Sequence, residues 1–536
     1  MKTKHLLSLS LLSGLWLWLA WPSHGFPALL FVAFVPMLFI EEYFLQNKAK
    51  HSRFAILKWA YLSFFVWNAL TTWWIWNSTP FGAIMAIVLN ALFMALIFTF
   101  FHITRRTLKQ ESHGIWLLVV YWLAFEYFHL DWDLSWPWLN LGNAFALYPK
   151  WIQWYEFTGS LGGSFWVLVA NILLFKAVKA FMAKQKKHLP YALAFVGLIA
   201  VPLLVSFGMY ANYHEKGNPV KCVVVQPNID PWSEQYSLPV KEVFMRNVGL
   251  GMHKLDSTCS FLVCPESALQ EDIWLNNPDN SESIGLIRNF IKHQPQLTMI
   301  IGASTFKNYE PGEALSATVR KYKNGNGYYD AFNTAFVVDS TAGIGYYHKS
   351  KLVPGPEKLP FPQLLRPFQE FAFDLGGTVG SLGLSPERTV FTNSSNGVKY
   401  SAVVCYESIY GDFMAQFVRN GAELLFIITN DGWWGHTDGH RQHFSFAILR
   451  AIETRRSIAR SANTGISGFV NQRGDVMQQT PYWQAATLSE TLLANSQQTF
   501  YTKHGDYIGR LALFTAGLFV LLTVVMGILN RKKGRL

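Results

Sequence analysis

Apolar residues fill the first 212 positions in seven blocks, at about 5–22, 27–46, 55–76, 82–103, 114–130, 164–182 and 189–211, with short polar breaks between them. An eighth block, YIGRLALFTAGLFVLLTVVMGILN, occupies about 507–530. A helix needs roughly 20 mostly apolar residues to cross a bilayer, so the pattern predicts a polytopic bundle of eight transmembrane helices. The roughly 290 residues between the seventh and eighth blocks read differently. Short Val- and Ile-rich runs (KCVVVQPN, SFLVCPES, TMIIGAST, TAFVVDS, YSAVVCYE, ELLFIITND and GISGFVNQ) are bounded by turn residues and predict strands. Helices are expected between them, at about 239–256, 282–293 and 441–459. Strands that are apolar throughout imply sheets buried on both faces, hence a layered α/β domain with helices covering packed sheets. The expected organisation is helices one to seven in 1–212, a globular domain in 213–503, and the last helix with a tail in 504–536.

The charged residues orient this plan. Lys2 and Lys4 precede the first block, NKAKHSR follows the second, TRRTLKQ the fourth, AKQKKH the sixth, and NRKKGR ends the chain. The alternate loops WPSHG and WNSTPFG contain no Lys or Arg. The positive-inside rule then predicts both termini in the cytoplasm and the inserted domain on the outer face. Read as a signal peptide, the first block lacks a clean small-x-small cleavage site in LWLWLAWPSHG; an uncleaved helix is expected, and the topology is the same either way.

Composition narrows the function. Of 536 residues, 51% are apolar and only 15% charged, against about 25% charged in a soluble protein. The net charge of +11 sits in clusters between apolar blocks rather than along a groove, which excludes nucleic acid as a partner. Few charges fall inside the spans and no pair of broken half-helices is visible, which argues against a transporter or receptor. The four cysteines are Cys222, Cys259, Cys264 and Cys405, with no CxxC spacing. The first three read as small buried apolar side chains, a disulfide between two of them being the alternative.

Three strand ends carry candidate chemistry. Cys405 ends YSAVVC where a helix can open, so its thiol lies near backbone N–H groups that favour the thiolate. Glu266 lies at the end of the strand in FLVCPES and Lys349 ends IGYYHK. Each has an ordinary local reading, respectively a structural thiol, a turn cap and a solvated charge. Together at one edge of a sheet, where strand C-termini collect, a base, a cation and a thiol would make an acyl-transfer site. His436, His440 and His443 have a spacing reminiscent of zinc ligands, but Gly435 and Gly439 interrupt the helix that spacing needs. No metal and no cofactor is expected.

The order Glu, Lys, Cys in PES, YHKSKLVP and VVCYE resembles the nitrilase superfamily. With eight spans around it, the chain resembles the apolipoprotein N-acyltransferases, which add the third acyl chain to bacterial lipoproteins. Further motifs carry the resemblance: WLAFEYF, SWPWLNLG, TNDGWWG, RQHFSFAILRAIETRRSIARSANTGISG and GDV. One departure is PGPE, ending in Glu357, where the family commonly has Pro-Phe-Gly-Glu; the spacing from Lys349 is kept. The resemblance implies a nitrilase-like αββα sandwich in which Glu266 is the general base and Cys405 the nucleophile. Lys349 and the Tyr406 backbone N–H would hold the oxyanion, with Glu357 and Glu407 in support. It further implies a phospholipid donor, a diacylglyceryl apolipoprotein acceptor, and a bacterial inner membrane with the catalytic domain in the periplasm. Trp232, Glu126 and His443 are candidate substrate-side residues. The aromatic segment 359–377, with Phe368 and Phe371, is a candidate membrane-touching lid. The alternative within the superfamily is a membrane-tethered amidase or nitrilase that passes its thioester to water.

Overall fold

The computed structural model describes residues 1–23, 25–109, 113–322, 325–341, 343–361 and 381–533. The chain divides into two compact units, Met1–Asn212 with His504–Leu536, and Tyr213–Lys503.

In the first unit every apolar block carries helix. Among the described residues, five helical stretches are long and apolar enough to cross a membrane: Pro27–Gln46, Pro80–Thr107, Ser160–Met182, His188–Asn212 and Tyr507–Asn530. Gly114–Phe128 is apolar but shorter; Thr3–Leu19 and Leu57–Thr72 have 17 and 16 residues. Local signals set the ends. Thr79 caps Pro80–Thr107 by accepting from the Gly82 N–H, Pro80 stands at its start, and Arg105 and Arg106 occupy its last turn. The second block breaks at Phe34. Asn171 repairs the break, its Oδ1 accepting from the Phe34 N–H at 2.8 Å and its Nδ2 donating to the Leu30 carbonyl at 2.6 Å. In an apolar surround such groups must find internal partners.

The second unit contains two sheets. The strands are β1 (Asn218–Gln226), β2 (Cys259–Val263), β3 (Leu269–Trp274), β4 (Thr298–Asn308), β5 (Arg320–Lys321), β6 (Tyr328–Val338), β7 (Ile344–His348), β8 (Phe391–Thr392), β9 (Lys399–Val404), β10 (Leu424–Thr429), β11 (Ser457–Ala462), β12 (Gly468–Val470), β13 (Val476–Gln479) and β14 (Ala486–Ala494). One sheet runs β14-β1-β2-β4-β6-β5, with β3 on β4 and β7 on β6; the other runs β13-β12-β11-β10-β9-β8. The centres, β1-β2-β4 and β9-β10-β11, are parallel, so the C-terminal ends of each centre share an edge.

The sheets pack face to face through Phe261 of β2, whose ring lies 4.7 Å from Tyr400 of β9 and 4.8 Å from Phe426 of β10. Side-chain alternation along a strand sends the other set outward. Val223, Val225, Leu262, Met299 and Ile301 meet Phe244 and Val248 of helix Val240–Met252 and Ile284, Ile287 and Ile291 of helix Glu282–Lys292. Helices Gly411–Arg419 and Asp438–Thr454 pack together, and the latter lies on β11 and β12. The order is helix, sheet, sheet, helix.

The helix expected over 441–459 occupies 438–454. It admits Gly439, whose N–H is capped by Thr437, and stops at Arg455, which takes a left-handed conformation with φ 51°. The residues beyond it are drawn into the parallel pairing of β11 with β10. All four cysteines are free and buried.

Candidate active site

Glu266, Lys349 and Cys405 lie within three residues of the C-termini of their strands. Glu266 follows β2 after Cys264 and Pro265, Lys349 follows β7, and Cys405 follows β9. Gly302 of β4 makes room for the first: its N–H donates to the Pro265 carbonyl at 2.9 Å, and a Cβ there would stand 2.5 Å from the Glu266 Cα.

The centre is an ammonium held between carboxylates. Lys349 Nζ is 3.1 Å from Glu266 Oε1 and 2.8 Å from Glu357 Oε1, with its side chain 1% exposed. Burial alone would push the lysine down, but Glu266 and Glu357 outweigh it and hold Lys349 well above its usual range. Asn333 of β6 joins both acids, its Nδ2 donating to Glu266 Oε1 at 2.8 Å and to Glu357 Oε1 at 3.2 Å. The Asn430 N–H donates to Glu266 Oε2 at 3.0 Å, and the Val353 N–H to Glu357 Oε2 at 2.8 Å. Gly355, with φ 98°, turns PGPE so that Glu357 reaches this position.

Cys405 has φ 51°, a left-handed conformation costing a non-glycine residue about 1–3 kcal/mol. It is over-determined by its neighbours. Glu407 Oε2 accepts the Val404 N–H at 2.8 Å, while Glu407 Oε1 accepts from Tyr347 Oη at 2.7 Å and the Ser350 N–H at 2.6 Å. Ser408 Oγ donates to the Cys405 carbonyl at 2.7 Å. Burial, and next the Glu266 carboxylate, push the Cys405 thiol up; Lys349 and a hydrogen bond from Thr429 pull against them. The thiol thus stands within electrostatic reach of both the Glu266 carboxylate and the Lys349 ammonium. Tyr406, which follows Cys405, opens a 3₁₀ turn with it, and its ring lies 5.4 Å from that of Tyr410.

The remaining sequence-derived candidates separate. Trp232 is 59% exposed, and its ring meets Trp433 edge-on at 4.8 Å. Its loop is tied to the site through Gln235, which accepts from Asn430 Nδ2 at 2.9 Å. His443 is buried, with Nδ1 2.9 Å from Asp431 Oδ1 and Nε2 3.3 Å from the Cys405 carbonyl. His440 instead stacks on Tyr482, and His436 packs against the same ring at a tilt, so the three histidines do not converge. Glu126 belongs to the other unit, where Oε1 accepts from Trp122 Nε1 at 3.0 Å and from the Leu141 N–H at 2.8 Å. Phe368 and Phe371 lie outside the described residues, as does most of 359–377.

Sequence reasoning gave no role to Asn333, Asn430, Asp431 or Arg460. Asn333 had a signal: it is a lone amide in the apolar run of β6, and a buried amide demands partners. Asp431 accepts from Arg460 at 2.7 Å. Asp431, His443 and Cys405 bring ligand atoms within 4.8 Å of one another, a spacing a metal could use, but the Arg460 guanidinium already supplies a cation there.

The profile of the apolipoprotein N-acyltransferase N-terminal domain matches residues 13–173, and that of carbon-nitrogen hydrolases matches 308–500. The chain is 30% identical over 532 residues to an apolipoprotein N-acyltransferase of Chlorobaculum tepidum, covering 96% of each. The chain belongs to the apolipoprotein N-acyltransferase family. A second member, from Geobacter metallireducens, is 29% identical over 93% of this chain and 91% of its own. A solved amidase from Nesterenkonia sp. aligns with 52% of this chain and 93% of its own, at 14% identity and a TM-score of 0.34. Membership in this family, with the five long apolar helices, makes this a membrane protein carrying a nitrilase-like α/β domain.

Proposed function

We propose that this apolipoprotein N-acyltransferase moves a fatty acyl chain from a phospholipid to the α-amine of a diacylglyceryl-cysteine at the start of an apolipoprotein, through a thioester on Cys405. The observation that carries the reading is the Lys349 ammonium clasped by Glu266 and Glu357 beside the strained Cys405. In the first half-reaction Glu266 takes the thiol proton. Sγ attacks the ester carbonyl, and the oxyanion is held by Lys349 Nζ and the Tyr406 N–H. The ester C–O bond breaks, Glu266 returns the proton to the leaving oxygen, and a lysophospholipid departs. In the second, the α-amine attacks the thioester, Glu266 takes its proton, the C–S bond breaks and Cys405 is reprotonated as the amide leaves. Glu357 positions Lys349, and Glu407 ties the Val404 backbone, just before the nucleophile, to that of Ser350, next to Lys349.

Both substrates are lipids, and withdrawing a chain from the bilayer costs about 0.8 kcal/mol per CH₂. A membrane-bound catalyst follows. The alternation of basic loops supports eight spans, cytoplasmic termini and a domain on the periplasmic face of a bacterial inner membrane. Exposed Trp232, edge-on to half-buried Trp433, suits a substrate-contacting rim. The test is mass spectrometry of a diacylglyceryl lipopeptide after incubation with the purified chain and phospholipid. Added acyl mass is expected; free fatty acid with an unchanged peptide would make the protein a hydrolase.

A further inference from the structure

Beside Cys405, on the side of β10 and helix Asp438–Thr454, lies a charged cluster that the reaction above leaves unused. Asp431, one residue past Asn430 at the end of β10, is 0% exposed. Its Oδ2 accepts from Arg460 at 2.7 Å, and its Oδ1 accepts from Thr429 Oγ1 at 2.8 Å and faces His443 Nδ1 at 2.9 Å. Arg460 reaches it from β11 and also donates to the Ile466 carbonyl at 2.5 Å. The other ring nitrogen of His443 lies 3.3 Å from both the Cys405 carbonyl and Ser408 Oγ. Three elements thus converge on the backbone of the nucleophile.

A full negative charge this close to Sγ opposes thiolate formation. Asp431 nevertheless stays ionised: burial would raise its pKa, and Arg460 and then His443 overcome that and hold it well below the usual carboxylate range. The groups acting on the thiol are Glu266, Lys349 and Asp431, with Thr429 and Tyr406 adjacent. Those acting on Asp431 are Arg460 and His443, with His440 and Tyr482 nearby. Arg460 is therefore the larger of the two influences that offset the acid, with His443 second.

We propose that Asp431, Arg460 and His443 form a charge-matched brace that positions Cys405: His443 links the acid to the nucleophile's own carbonyl, and Arg460 cancels a charge that would otherwise keep the thiol protonated. The three are positioning residues, and the proposal rests on the reading of Cys405 as nucleophile.

The test is the pH dependence of Cys405 alkylation by iodoacetamide in the full-length, detergent-solubilised chain, located by peptide mass spectrometry. Arg460→Gln is expected to move the alkylation midpoint to higher pH and slow acylation at least tenfold, and adding Asp431→Asn to return the midpoint to the wild-type position. A purely structural role would make the double variant no better than the single one. His443→Ala is expected to lower kcat with KM unchanged, and His443→Gln, which still offers a donor, to recover part of the loss. Should Arg460→Gln fail to fold, Asp431→Asn alone decides, with a midpoint shifted to lower pH. An unmoved midpoint in Arg460→Gln and Asp431→Asn, with normal acylation of Cys405, overturns the brace alone. Acyl transfer surviving in Cys405→Ser overturns the nucleophile assignment itself.

Discussion

Asn333 Nδ2 donates to Glu266 Oε1 at 2.8 Å, and the same amide reaches Glu357 Oε1 at 3.2 Å. One neutral side chain therefore sets the spacing of the two acids that flank Lys349. Hydrogen bonds to charged groups contribute about 1.5–3 kcal/mol. Asn333→Leu, similar in volume, is expected to lower kcat about 10- to 100-fold with the fold intact. Steady-state kinetics with a lipopeptide acceptor checks this, and a change confined to KM would contradict it.

Glu407 and Glu357 differ in what they hold. Glu407 is fully buried and accepts from the Val404 and Ser350 N–H groups and from Tyr347 Oη. Removing it strands buried donors at about 1–3 kcal/mol each, so Glu407→Ala is expected to destabilise the domain by roughly 3 kcal/mol or more. Glu357 is partly exposed and serves Lys349; Glu357→Gln is expected to slow turnover while leaving the melting temperature near wild type. Thermal melts and activity measured on the same samples separate the two.

Glu126 acts as an acceptor for Trp122 and for the Leu141 N–H, which opens the turn Leu141–Phe145. Gln can accept the same two bonds and Ala neither. Glu126→Gln is expected to match wild type in stability and turnover, and Glu126→Ala to melt at a lower temperature. Loss of turnover in the Gln variant with an unchanged melt would instead assign its charge a role.

Two buried histidines predict acid sensitivity. Burial lowers both His348, whose ring stacks 4.0 Å from Phe332, and His440, stacked 3.9 Å from Tyr482, to about 4. An unfolded chain protonates them near pH 6.5. Between these values the unfolded state binds more protons, so stability rises with pH. Their contribution is complete above about pH 6.5 and is lost as the pH falls to about 4. The melting temperature is expected to fall over that window, and His440→Phe, which keeps the stack, to flatten the fall. Identical pH profiles for variant and wild type would contradict this.

The parts of the site that local pattern reveals are the strand ends. Runs such as SFLVC and YSAVVC are short, β-branched and bounded by turn residues, so Glu266 and Cys405 could be placed at strand termini from sequence. β14 was not legible, because its largely half-exposed ATLSETLLA gains strand character from antiparallel pairing with β1, more than 250 residues away in sequence (Asn218 to Ala494). The helix expected after Cys405 is present but starts at Gly411, because the 3₁₀ turn Cys405–Ile409 comes first. Asp431 and Arg460 sit in motifs visible in the sequence, TNDGWWG and RRSIARSANTG. Their pairing at 2.7 Å exists only because β10 and β11 run parallel, which spacing along the chain does not encode.

The central claim is a thioester on one sulfur, and intact-protein mass spectrometry after incubation with phospholipid and no acceptor tests it most directly. A single acyl adduct, released by hydroxylamine, mapped to Cys405 and missing from Cys405→Ala, is the expected result. An adduct that persists in Cys405→Ala, or acyl transfer to acceptor without any adduct, would contradict it.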